Sequence, residues 1–278
     1  PPVEGGGDLW PDWLAPQFED VEIGIARTRP EMPDTPAIHE IEALYLDLIL
    51  RARRHIYAES QYFASRRIAE AMARRLAEPD GPEIVLVNPH TAQGWLEPIA
   101  MDTARARLRE ALRGHDPHGR FRIYHPVTAA GRHIYVHAKV MVVDEEVLRV
   151  GSSNMNNRSL RLDVECDVVL EGRDDATRAS ITSVRDGLMA EHLGVAREEV
   201  AARIAEGGSL IGAIEALRGA IDAAEFGVRP GSFEDQSKAF ARLLRAAAER
   251  DMPVALPAGA FVVSNVTLPR RLVLSGVP

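Results

Sequence analysis

Along this 278-residue chain, stretches in which apolar and polar positions alternate give way to stretches in which apolar positions recur every three to four residues. The first spacing belongs to half-buried strands and the second to amphipathic helices. Val21 to Ala26 reads as a strand, Ile38 to Arg53 as a helix and His55 to Phe63 as a strand. Ile68 to Leu76 reads as a helix ended by Pro79-Asp80-Gly81, and Ile84 to Val87 as a buried strand. Trp95 to Leu112 follows as a helix, with Trp95 and Met101 in the core, and Phe121 to Tyr124 as a strand. Two apolar runs on either side of Asp144-Glu145-Glu146 predict a hairpin, and Ala176 to Leu193 predicts a further helix. Such alternation implies an α/β sandwich, a mixed β-sheet flanked by helices. Arg197 to Ala205 and Ser209 to Leu217 are short amphipathic helices separated by Gly207-Gly208. Beyond Asp222, Asp235 is suited to cap a helix from Gln236 to Arg250. Val254 to Leu256, Phe261 to Val263 and Leu272 to Leu274 then read as short strands between Pro and Gly.

The hairpin, YVHAKVMVVDEEVLRVGSSN from Tyr135 to Asn154, carries the candidate chemistry. His137 and Lys139 are two apart in a strand-like run, which puts imidazole and ammonium on one face. Asp144 has the other parity at the polar exit of the strand, where a carboxylate ties down a turn. The small side chains of Gly151-Ser152-Ser153-Asn154 suit a loop close to an anionic oxygen. Lysine usage singles out the same run. Only Lys139 and Lys238 are lysines among 33 basic residues, so a chain that otherwise writes positive charge as arginine keeps a compact ammonium here.

The full pattern, H-x-K-x4-D-x6-G-S-x-N, resembles the active-site motif of the phospholipase D superfamily, the HKD motif. The similarity continues through Asn156-Asn157-Arg158-Ser159-Leu160 and Leu162 to Asp167. Upstream, Arg54 to Phe63 resembles the family's I-Y-I-E-N-Q-Y-F strand, with Ser60 in place of Asn. The resemblance implies a phospholipase D-like domain over residues 8–218, of the C-terminal, second-motif type. It implies that His137 transfers a proton, that Lys139 and Asn154 stabilise the phosphoryl oxygens and that Ser152 assists. It also implies that Glu165 bonds the far imidazole nitrogen, and that Gln61 and Tyr62 line the substrate pocket. Asp144 and Gly151 serve the structure of the motif, and neither metal nor cofactor is needed. Residues 222–278 resemble the start of a pectate-lyase-like right-handed β-helix, a C-terminal partial β-helix that ends after too few rungs to stack.

In that family two motifs meet in one site, whereas His39, His55, His90, His115, His118, His125, His133 and His192 all lack a lysine two positions on. The expectation is therefore a fragment that has lost its first motif, which missing N-terminal sequence or a homodimer must supply. Three functions remain open. The first is a phospholipase D-like phosphodiesterase acting on phospholipid or another phosphodiester. The second is a cardiolipin synthase-like phosphatidyltransferase or an HKD nuclease. The third is a non-catalytic half-domain that binds phosphate.

Composition trims these alternatives. A hydrophobic content of 46% supports a sizeable core, and a net charge of -8 argues against a generally basic nucleic-acid surface. The single cysteine, Cys166, excludes an internal disulfide, and its apolar neighbours predict a buried thiol. No apolar run approaches the roughly 20 residues of a membrane span, so the expectation is a soluble or peripheral membrane protein of the bacterial cytoplasm.

Overall fold

The computed structural model describes residues 11, 13–90, 103–128, 132–219, 221–250, 252, 254–256, 259–268 and 274–276. In chain order the first part runs β1 (Ile23–Arg29), β2 (Ile38–His39), α1 (Glu40–Arg51), β3 (His55–Ser60), α2 (Arg66–Ala77) and β4 (Glu83–Val87). Next come α3 (Thr103–Gly114), β5 (Phe121–Tyr124), β6 (Lys139–Val143), β7 (Val147–Gly151), α4 (Asn157–Arg161) and β8 (Glu165–Glu171). Three helices follow, α5 (Asp175–Leu193), α6 (Arg197–Gly207) and α7 (Leu210–Leu217). Trp95 and Met101 lie outside the described residues.

One mixed sheet has the order β2-β1-β8-β7-β6-β3-β4-β5, with β3, β4 and β5 parallel and the other pairs antiparallel. Near-continuous buried runs on β3, β4 and β6 cover these central strands on both faces, as a sheet packed on both sides requires. Ile56, Ala58, Met141, Val143 and Val147 pack with Ile41, Leu48, Ile49, Met72 and Leu76 of α1 and α2. Tyr57, Val142, Leu148 and Leu170 pack on the other side with Ile181, Met189, Val200, Leu210 and Ile214 of α5 to α7. Because β6 and β8 run against β3 and β7, Ser60, Lys139, Gly151 and Asp167 end up together at one edge: Ser60 pairs with Lys139 and Gly151 with Asp167.

The opposite end of the hairpin holds charge. Asp144 and Glu145 both have positive φ, 53° and 58°, at the centre of a tight turn in which the Glu146 amide donates to the Val143 carbonyl at 2.9 Å. The Asp144 carboxylate accepts the amides of Arg53, Arg54 and His55 at 2.5, 2.7 and 2.7 Å. Burial by itself pushes the Glu145 carboxyl up, but the His55 ring, Arg185 and Arg54 outweigh it and hold it at about 2. A depressed carboxyl contributes stability above its unfolded value and loses that contribution as pH falls toward the folded one. Thermal melts between about pH 5 and pH 2 should therefore fall steeply for the wild type and less steeply for Glu145→Gln. Parallel curves would show that this carboxylate does not govern acid stability.

The remainder comprises β9 (Ile221–Asp222), a 3-10 turn at Ala223–Phe226, α8 (Ser237–Arg250), β10 (Val254–Leu256) and β11 (Leu274–Gly276). The three strands form a separate parallel sheet ordered β11-β10-β9, and Ala223, Val228, Leu243, Ala247 and Val254 form its own apolar cluster. Asp235 accepts from Ser237 N and Oγ at 2.9 and 2.5 Å at the start of α8.

Two expectations fail. Phe261 to Val263 is not a strand, because the carbonyls of Ala260 and Val262 accept the amides of Gly231 and Gln236 from a loop instead of a ladder. Cys166 is exposed rather than buried. It sits on β8 opposite Arg27, on a part of the sheet face where Ile23, Ile25 and Val150 are also exposed, so apolar neighbours in sequence did not imply cover.

Candidate active site

The edge where β3, β6, β7 and β8 meet gathers the polar groups of the motif. His137 lies just before β6 rather than within it, so strand parity does not account for its position. It nevertheless stands beside Lys139, whose Nζ donates to the His137 carbonyl at 2.7 Å and is 3.4 Å from His137 Nδ1. Gln61, one residue beyond β3, joins the two halves of the motif. Its Oε1 is 3.3 Å from Lys139 Nζ and 3.5 Å from Asn154 Nδ2, while its Nε2 donates to the Tyr135 hydroxyl at 2.7 Å. Asn154 is 8% exposed and its Oδ1 is buried without a hydrogen-bond partner.

Lys139, Asn154 and Gln61 are therefore brought together, with His137 exposed at the rim. Burial, the largest influence, lowers the Lys139 pKa; the Glu165 carboxylate opposes it and the Arg149 charge adds to it. Glu165 departs from its expected role. Its carboxylate accepts from the Ser152 hydroxyl, not from His137, and Ser152 Oγ accepts the Cys166 amide at 3.1 Å. Tyr62 is half-buried, with its carbonyl accepting from Ser60 Oγ at 2.8 Å, and Phe63 behind it belongs to the core. Gly151 packs so closely on Asp167 that a Cβ there would lie 2.0 Å from Asp167 Oδ1. Asp144 is at the far end of the hairpin, away from these groups.

Sequence reasoning missed Tyr135, Ser153, Arg149 and Asp167. The signal for the last two was present: the interiors of two consecutive strands, VLRVG and ECDVVLE, each hold one charge, of opposite sign, and buried charges occur in pairs. A cavity of about 140 Å³ on the other side of the sheet, lined by Tyr57, Tyr124, Met189, His192 and Ile214 among others, includes none of the site residues. Among the described residues, no group of three or more His, Cys, Asp or Glu is placed to hold a metal ion. Nor is any described helix long and apolar enough to cross a membrane.

Residues 45–182 match the family described as cardiolipin synthase, PLD-like domain. Phospholipase D zeta 2 of Arabidopsis thaliana is 27% identical over 253 residues, covering 71% of this chain and 24% of that protein. Cardiolipin synthase 1 of Staphylococcus epidermidis is 26% identical over 143 residues, covering 50% of this chain and 26% of that protein. The chain thus spans about a quarter of the length of these curated relatives. Among solved structures, phosphatidylserine synthase of Haemophilus influenzae is 15% identical over 61% of this chain and 38% of that one, with a TM-score of 0.47. Residues 45–182 thus match a phospholipase D-like domain, and the chain is similar to members of the phospholipase D superfamily.

Proposed function

We propose that this chain is one half of a phospholipase D-like phosphodiesterase site that works through histidine chemistry without a metal. The observation that carries the reading is the meeting of Lys139 Nζ and the Asn154 amide at Gln61 Oε1, with the His137 imidazole beside Lys139 Nζ. Lys139 and Asn154 would bind the non-bridging oxygens, where charge grows as phosphorus is attacked. His137, as general acid, would give its proton to the leaving alcohol as the P–O bond breaks. A second histidine would attack phosphorus to form a P–N bond, and water or an alcohol would then break that bond and release the product. Ser152 and Glu165, bonded to each other, would fix the floor of the site, and Gln61 and Tyr62 would face the substrate.

The second histidine must come from elsewhere, as upstream sequence or as a second copy. Exposed apolar side chains on β1, β7 and the segment before β8, Ile23, Ile25, Val150, Leu162 and Val164, offer surface for docking of such a half. Phosphatidyl transfer rather than hydrolysis is the second reading, favoured by the cardiolipin synthase description of the matched family. The same active-site chemistry serves both, with lipid contact at the membrane surface in either case.

The test is release of p-nitrophenol from its bis-phosphodiester, and of choline from phosphatidylcholine vesicles, with EDTA present, across protein concentrations. Activity that survives EDTA and rises faster than linearly with concentration supports two copies forming one site. Inactivity at every concentration, with bound inorganic phosphate, would reduce the chain to a phosphate-binding half.

We further propose that residues 8–218 form the catalytic unit and that 222–278 form a β-helix-like appendage. The separate parallel sheet and apolar cluster support this division. Removing 222–278 is expected to leave the melting temperature of the rest within about 4 °C and its phosphodiesterase activity within about twofold. Insoluble protein after the deletion would overturn the division.

A further inference from the structure

Beneath the site lies a buried ion pair that the proposed chemistry does not use. Arg149 on β7 is 1% exposed and Asp167 on β8 is 0% exposed. Arg149 Nε donates to Asp167 Oδ2 at 2.9 Å, and Nη2 also meets Asp167. The rest of the guanidinium reaches both halves of the motif. Nη1 donates to the Lys139 carbonyl at 3.2 Å, and Nη2 donates to the Ser153 carbonyl at 3.1 Å and to Ser153 Oγ. Asp167 completes the clasp by accepting Ser153 N at 3.2 Å and Ser153 Oγ at 2.6 Å. The Tyr45 ring lies 4.5 Å from the guanidinium, and its hydroxyl donates to the Ser153 carbonyl at 3.3 Å. The bare Cα of Gly151 lets the turn close over Asp167.

The clasp therefore holds the backbone of Lys139 and of the residue before Asn154, the two groups proposed to bind the phosphoryl oxygens. A buried ion pair is weak evidence for stability, since apolar residues of similar volume often replace one without loss. Its fork geometry, by contrast, ties two strands and a loop at fixed separations, which a core of aliphatic side chains does not. We infer that Arg149, with Asp167 and Ser153, is a positioning device that sets the distance between the Lys139 ammonium and the Asn154 amide. The inference rests on the phosphodiesterase reading for its kinetic consequence but not for its spectroscopic one.

The test is the double variant R149M/D167N, which removes one charge of each sign and so leaves no uncompensated buried charge. Melting should stay within about 4 °C of wild type. On the bis-p-nitrophenyl diester kcat should fall about 100-fold, with KM changed less than about threefold, because the donors are misplaced rather than lost. In ¹³C-lysine-labelled protein, where only Lys139 and Lys238 give signals, the Lys139 midpoint should move up as the Arg149 charge goes and the ammonium gains water. A folded double variant with wild-type kcat would overturn the inference, because a merely structural pair leaves turnover unchanged. R149K, which keeps the charge but loses the fork, carries the same kinetic expectation, and a Lys139 midpoint that moves there reports changed geometry and not a lost charge. An inactive wild type whose Lys139 midpoint moves in R149K, where the neighbouring charge is kept, would defeat the phosphodiesterase reading and keep the positioning role, and an unmoved midpoint in that variant would defeat both.

Discussion

His137→Ala is expected to lower turnover of the phosphodiester by about a thousandfold, the size of a lost general acid, while leaving the fold unchanged. The imidazole is exposed at the rim, with Lys139 Nζ 3.4 Å away and the Tyr135 ring centroid 6.4 Å away, so removing it opens no cavity. Thermal melting should superimpose on wild type, and binding of inorganic phosphate should survive because Lys139 and Asn154 remain. The acid role predicts a finer result. With a p-nitrophenol leaving group, which departs readily without a proton, the loss should be smaller than with a phospholipid, whose alkoxide needs one. An equal loss on both substrates would move His137 from acid to nucleophile, and no loss on either would remove it from the chemistry.

Asp144→Ala should do the reverse, lowering stability by about 4 kcal/mol while leaving the activity of the folded fraction intact. One buried carboxylate accepts three consecutive amides, and without it the N–H groups of Arg53, Arg54 and His55 lose a charged partner. Alanine must also hold the left-handed φ of 53° at this position, which costs about 1 kcal/mol more. Asp144→Asn should recover part of the loss, since asparagine tolerates that backbone and keeps one acceptor oxygen. Urea unfolding of the three proteins, with initial rates at low temperature, separates the two effects. A stable but inactive Asp144→Ala protein would assign this carboxylate to the chemistry.

Much of the architecture was legible because it is local. Phe121 to Tyr124 has the bounds read from the chain, and Ile84 to Val87 lies within β4, since a short alternating run and a short apolar run bounded by turn residues have few alternatives. The hairpin turn was legible from polar residues between two β-branched runs. Element ends were less so: the expected helix from Ile38 begins instead at Glu40 after a two-residue strand paired with β1, a partner that no local pattern reveals. Cys166 and Phe261 were misjudged for a related reason, because burial and ladder pairing depend on what the rest of the chain lays over a segment.

Residue type and spacing alone determined that a hairpin starting at Lys139 carries the candidate chemistry, with His137 two residues ahead of it and Asn154 three residues beyond it, and that the sheet alternates with helices, the strands and helices following from periodicities of two and 3.6 residues. Tertiary structure alone decided what those groups touch. Gln61 reaches Lys139 and Asn154 across 78 and 93 residues, Glu165 pairs with Ser152 instead of His137, and Arg149 finds Asp167 one strand away. Spacing within a strand says which face a side chain occupies, whereas sheet order and register choose its neighbours, and those are set by the packing of the whole core.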